Sequence, residues 1–218
     1  MKWCNLEFWR NLLRKNTLSI TMMLGAIGAV AVAGFTSFAS ECERLPDKVL
    51  RLHIIADSDS EEDQRFKAQL RDQLLQEFSP VLSECDSLES AKQTGRKLLP
   101  EIERVSRDFA DERNYVAEIT AEITKMYFTT RVYDSFTLPA GNYTALRITI
   151  GEGAGQNWWC VMFPPLCVPA VTADSQLARN SAIDAVHIPE SGGNGTQIKF
   201  ALFEFLSALH QKNSRSSR

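Results

Sequence analysis

From Leu18 to Ala39 the chain carries no charged residue. At about 1.5 Å of rise per residue, a helix over that run is just long enough to cross the ~30 Å hydrocarbon core of a bilayer. Lys2, Arg10, Arg14 and Lys15 precede it. A positive flank before an apolar run is the pattern of an export leader, with the amino terminus in the cytoplasm and the remainder across the membrane. Ser37-Phe38-Ala39 is a small-x-small site at which a signal peptidase would cut after Ala39; the alternative is a retained anchor. Ser40-Glu41-Cys42 does not make a lipid-attachment site, because Glu41 stands where a small residue is needed. Residues 1–40 are therefore expected to be a signal peptide or membrane anchor, with the fold confined to the remainder of the chain.

Without such a leader about 175 residues remain, enough for one domain with a core of its own. The net charge of −3 and pI near 5.7 give no basic footprint for nucleic acid. Histidine is limited to His53, His187 and His210, which narrows metal and acid–base chemistry; no cofactor and no metal site is expected. Cys4 precedes the apolar run. Cys42, Cys85, Cys160 and Cys167 come after it, on the side where disulfides persist. Cys160 with Cys167 is the most local pairing, and two buried thiols is the alternative.

Residues 41–48 read as a polar linker containing Pro46. Val49–Ala56 is β-branched and apolar and reads as a strand. Ser58 followed by Glu61 fits a capping box, and Phe66, Leu70, Leu74 and Phe78, with Leu75 beside them, make one helix face that Pro80 closes. Asp86 or Ser87 opens a second stripe through Leu88, Ala91, Gly95, Leu98, Ile102, Val105 and Phe109; Pro100 divides it into two helices or one kinked helix. From Asn114 the period becomes two. Tyr115–Ile123, Met126–Tyr133 (Phe128 and Val132 inward), Tyr143–Ile150 and Asn157–Phe163 read as strands, the last two joined as a hairpin. Ser191–Gly195 reads as a loop. Ile198, Leu202, Phe205, Leu206 and Leu209 mark a last helix, and 212–218 a disordered tail. The expected architecture is α+β: a mainly antiparallel sheet of about four or five strands against three or four helices, forming a single domain over 49–211.

Special residues concentrate in Gly151–Cys167, GEGAGQNWWCVMFPPLC. Gly151, Gly153 and Gly155 alternate, but no Gly-Lys-Ser/Thr follows for a phosphate loop and no helix for a dinucleotide fingerprint. Cys160 and Cys167 are too widely spaced for a C-x-x-C redox pair, and zinc would need further ligands, with His53 and His187 the available candidates. Asp57–Asp63 lacks the sixth-position glycine and twelfth-position glutamate of a calcium loop, so it reads as a cap with a solvated acidic face. No G-x-S-x-G elbow occurs, and Asp134-Ser135-Phe136 lacks the glycine of an aspartic-protease triplet. On a strand the rings of Trp158 and Trp159 point to opposite faces, one into the core and the other exposed or covered by a loop. Exposed aromatics anchor partners, so Gln156, Asn157, Trp158, Trp159 and Phe163 are nominated as a docking face. The alternative is an extracytoplasmic hydrolase, acting on cell wall or peptide through His53, Asp57 and Cys160.

Two blocks carry a family resemblance. Leu50–Gln64, LRLHIIADSDSEEDQ, resembles the first signature of the stage II sporulation protein R family, which typically has Asn where Asp57 stands. Ile148–Gly153, Gln156–Cys160 and Phe163–Cys167 resemble its second. The resemblance implies a signalling protein, not an enzyme. Such a protein is made in the forespore of endospore-forming bacteria and exported into the space between the two septal membranes. There it activates a membrane-embedded aspartic protease of the mother cell, which processes the precursor of the early mother-cell sigma factor.

Overall fold

The computed structural model describes residues 5–133 (side chains at Thr17 and from Ser19), 136–166 and 198–206. The chain divides into two units, Met1–Glu41 and Cys42–Arg218. The first is dominated by α1, Asn5–Arg44, and Ser19–Asp47 holds one helix long and apolar enough to cross a membrane.

In the second unit a 3-10 turn, Leu45–Asp47, with Leu45 buried, leads into β1, Leu50–Ile55. Two helices come next, α2 (Glu61–Ser83) and α3 (Leu88–Asp111). Then come β2 (Ile119–Phe128), the short β3 (Arg131–Val132) and β4 (Thr137–Leu138), β5 (Gly141–Ile150) and β6 (Asn157–Phe163). A last helix, α4, covers 198–206. The sheet order is β2-β5-β1-β6. β1 runs parallel to β5; β2–β5 and β1–β6 are antiparallel. The sheet is thus mainly antiparallel with helices against it, the α+β class expected.

Each face of the sheet carries its own core. Leu50, Leu52 and Ile54 of β1, Leu146, Ile148 and Ile150 of β5, and Cys160 and Met162 of β6 pack against α2 and α3. The alternate residues, Tyr143, Ala145 and Val161, pack with Leu45, Val49, Phe128, Phe136, Leu138 and Leu166 on the other face. The helical stripes sit as their spacing predicts: Phe66, Leu70, Leu74, Leu75 and Phe78 are buried in α2, and Leu88, Ala91, Ile102, Val105 and Phe109 in α3.

Several local expectations are corrected. α2 caps on Ser60, which accepts from the Asp63 amide, and not on Ser58. Pro80 does not end α2, and of the two readings at Pro100 the single helix, α3, is the one found. A proline interior to a helix costs about 3 kcal/mol. Each large buried apolar side chain returns roughly 1.5–3 kcal/mol, and α3 buries such residues on both sides of Pro100. The two strands expected across 115–133 are mainly one, β2, whose Thr124, Lys125 and Met126 stay paired with Ala145, Thr144 and Tyr143 of β5; Val132 is 62% exposed. The hairpin is absent: β5 and β6 are separated by β1, so the glycine loop crosses the end of β1 instead of turning back beside β5. In α4 the buried residues are Phe200 and Phe203, while Ile198, Leu202, Phe205 and Leu206 face outward. Leu209, the loop Ser191–Gly195 and the tail 212–218 lie outside the described residues.

Candidate functional site

The C-terminal end of β1 and the loop before β6 hold each other. Asp57 accepts the Glu152 amide at 2.6 Å through Oδ1, and its own carbonyl accepts the Ala154 amide at 3.0 Å. The Gly155 amide donates to the Ala56 carbonyl. Asp59 Oδ1 accepts the Gln156 amide at 2.7 Å. Buried Lys67 of α2 reaches the Gln156 carbonyl at 2.7 Å; burial pushes its ammonium below the ordinary lysine range, with Asp59 opposing. Ser58 is fixed in turn. Its hydroxyl donates to Asp63, and its carbonyl accepts from the Gln64 amide group. The Ser58 hydroxyl bond, and one from Tyr115 at 2.6 Å, hold the Asp63 carboxyl below the usual range.

Two glycines make the clasp sterically feasible. Gly151 has φ +55°, and a Cβ there would meet Asp57 Oδ1 at 2.2 Å. A Cβ on Gly155 would lie 2.2 Å from the Ser58 carbonyl oxygen. Asp57–Asp63 is therefore not simply a cap with a solvated acidic face. Two of its carboxylates bond amides some 95 residues away.

Beyond the clasp lies the nominated docking segment. Gln156, Asn157 and Trp158 are exposed. Trp158 pairs with Ile54 and so projects on the helix side, 38% exposed, with the Arg71 guanidinium 4.2 Å from its ring centre. Trp159 projects on the other face. It stacks on His53 at 4.2 Å and meets Phe128 edge-on at 4.8 Å. Phe163 pairs with Leu50 and packs, partly buried, against the helix-side core. The pair thus splits across the sheet as strand alternation predicts. Cys160 is buried and in a disulfide; buried Cys42 and half-buried Cys85 are not in one. Cys167 and His187 lie outside the described residues.

His53, Asp57 and Cys160 do not form a catalytic trio. His53 and Cys160 project from opposite faces, since His53 pairs with Trp159 and Leu52 with Cys160. The Cys160 sulfur is committed to a disulfide. His53 Nε2 bonds Asn157 Oδ1 at 2.7 Å, which puts the ring proton on Nε2, while Asp57 bonds backbone. Burial holds the His53 pKa below its ordinary value, against the Asn157 bond and reinforced by Arg147 and Arg51.

Beside His53 is a residue whose environment the sequence did not reveal. Arg51 is fully buried, with its guanidinium 4.0 Å from the Phe128 ring and 5.1 Å from Tyr143. Nη2 donates to the Tyr133 hydroxyl at 2.8 Å; among the described residues Nε and Nη1 have no partner. Burial pushes its pKa down. Arg51 and Arg71 were both missed. Arg51 reads as the outward residue of an alternating strand, and nothing in the spacing of Arg71 announces its place over Trp158.

No solved structure matches the chain. Sequence comparison does place it. Residues 46–173, more than half of the chain, match the family described as stage II sporulation protein R. The stage II sporulation protein R of Bacillus subtilis (strain 168) is 32% identical over 191 residues, spanning 76% of this chain and 83% of its own. The matched region contains both clasped segments, and the chain belongs to the stage II sporulation protein R family.

Proposed function

We propose that this chain is an exported activator acting in sporulation. Its domain would stand in the space between the two septal membranes and switch on a membrane-embedded aspartic protease of the mother cell, leading to processing of the early mother-cell sigma-factor precursor. Family membership carries the reading, and the apolar amino-terminal helix, a signal peptide or membrane anchor, supports the export part of it. Docking is assigned to Gln156, Asn157 and Trp158 at the sheet edge, with Trp159 and Phe163 buttressing them from the two cores. A disulfide between Cys160 and Cys167 would brace the strand's far end.

The experiment is reconstitution. The full chain, the protease in vesicles and the precursor are combined, and cleavage is followed on gels. Cleavage only when all three are present is expected; none with a folded chain overturns the reading. Within the same assay Trp158→Ala should remain folded, losing about 1 kcal/mol or less with its exposed stacking partner, yet fail to activate. Trp159→Ala should lose roughly 3 kcal/mol of stability as a packed aromatic. Normal activation by Trp158→Ala would remove the docking assignment and leave the activator reading in place.

A further inference from the structure

Helix α4 is apolar on two sides. Phe200 and Phe203 are buried, and Glu204 accepts the Thr130 amide at 3.0 Å, so that side is fixed to the domain. On the other side Ile198, Leu202, Phe205 and Leu206 are 68%, 44%, 61% and 44% exposed. Their spacing is i, i+4, i+7 and i+8, a continuous stripe of about 100° at ~100° per residue. Four large side chains on one stripe exceed the scattered exposure normal for a soluble surface.

The position of α4 indicates what covers the stripe. Phe203 lines a cavity of about 290 Å³ together with Cys42, Pro46, Tyr127 and Asn142. Cys42 is three residues beyond Ala39, where the uncharged run ends. Three residues span at most about 11 Å even fully extended. The headgroup layer on each side of the ~30 Å core is itself roughly 5–8 Å deep. Whatever the orientation of the leader, Cys42 is tethered within reach of that layer, and Phe203 of α4 shares a cavity wall with it. Helices with one apolar face lie in it, with that face among the acyl-chain ends. The sequence after α4, 207–218, contains Lys212, Arg215 and Arg218 and no acidic residue, a charge suited to anionic headgroups.

We propose that α4 is a second membrane contact: an interfacial helix that lays Ile198, Leu202, Phe205 and Leu206 on the bilayer and holds the domain against it. This contact is separate from the leader. It does not depend on the activator reading.

The test uses the full chain in vesicles of phosphatidylcholine and phosphatidylglycerol. The photoreactive residue benzoylphenylalanine replaces Phe205 or, separately, Leu202. A third protein carries it at Val116, which is 98% exposed and lies between α3 and β2. After irradiation, mass spectrometry reads lipid adducts and chain–chain adducts. At least fivefold more lipid adduct at 205 and 202 than at 116 is expected. Yields equal to that at 116 overturn the proposal, as do chain–chain adducts in place of lipid adducts, which would make the stripe a self-association face.

Discussion

The clasp can be tested by a double-mutant cycle on Asp57 and Gly151. Alanine at 151 meets two separate penalties. Its φ of +55° is left-handed, which costs a residue with a Cβ roughly 1–2 kcal/mol. The new Cβ also overlaps Asp57 Oδ1, 2.2 Å away, and overpacking of this kind costs about 1–3 kcal/mol. Asp57→Ala alone removes the acceptor of the Glu152 amide, worth about 1–2 kcal/mol in a part-exposed loop. In the double variant the overlapping atom is gone and only strain and the lost bond remain. The two changes should therefore combine sub-additively, with a coupling of about 1–3 kcal/mol. If Asp57 instead swings aside in Gly151→Ala, its bond is already lost and truncation adds little, so the sign is the same. Asp57→Asn keeps an acceptor oxygen in place and should stay within about 0.5 kcal/mol of the parent. The assay is urea unfolding of the full chain in mild detergent, monitored by circular dichroism. Additivity within error would refute the idea that these two residues occupy one steric site.

Two more outcomes concern the opposite face of the sheet. The His53 pKa is lowered in the folded state, so as pH falls below the unfolded value near 6.5 the unfolded chain takes up a proton first and stability declines. Between pH 7.5 and 5.5 this group should contribute a loss of up to about 1.4 kcal/mol, and an unchanged pH dependence in His53→Gln, measured by urea midpoints, would exclude it. Tyr133→Phe removes the hydroxyl that Arg51 Nη2 uses and leaves a buried cation with one bond fewer. The expected destabilisation is about 2 kcal/mol, and a midpoint unchanged from the parent would show that solvent reaches the guanidinium.

Both helical stripes and the opposite orientations of Trp158 and Trp159 were legible because each depends only on local periodicity. Pro80 misled, and Pro100 left two readings open, because a proline rule is local, whereas the packing that overrides it comes from residues on both sides and from the sheet. Which face of α4 meets the domain was not legible, for a related reason. Ile198, Leu202, Phe205 and Leu206 have the better spacing, but Phe200 and Phe203 are the residues that reach the domain. Spacing identifies an apolar stripe without saying which neighbour it meets, and a helix with two stripes leaves the choice to tertiary structure. Asp57 was equally opaque. Its partner amide is 95 residues away, and no local pattern encodes that distance.

Strand order explains why the two signature segments belong together. Had β5 and β6 formed a hairpin, Gly151–Gln156 would need only to turn. Because β1 lies between them, the loop must cross the end of β1 within a few residues and at backbone contact. That crossing accounts for the residue types on both sides. Gly155 is required where a Cβ would strike the Ser58 carbonyl, and Gly151 where the backbone is left-handed against Asp57. A side-chain acceptor is required at 57, a role that Asn would fill as Asp does. The same crossing delivers the chain into β6 with its direction set, so Gln156, Asn157 and Trp158 emerge at a sheet edge fixed by Asp59, His53 and Lys67. The glycine-rich segment thus needs no ligand to explain its composition. What it presents is the exposed edge beyond the crossing, and Trp158 is the residue there with most apolar surface left uncovered.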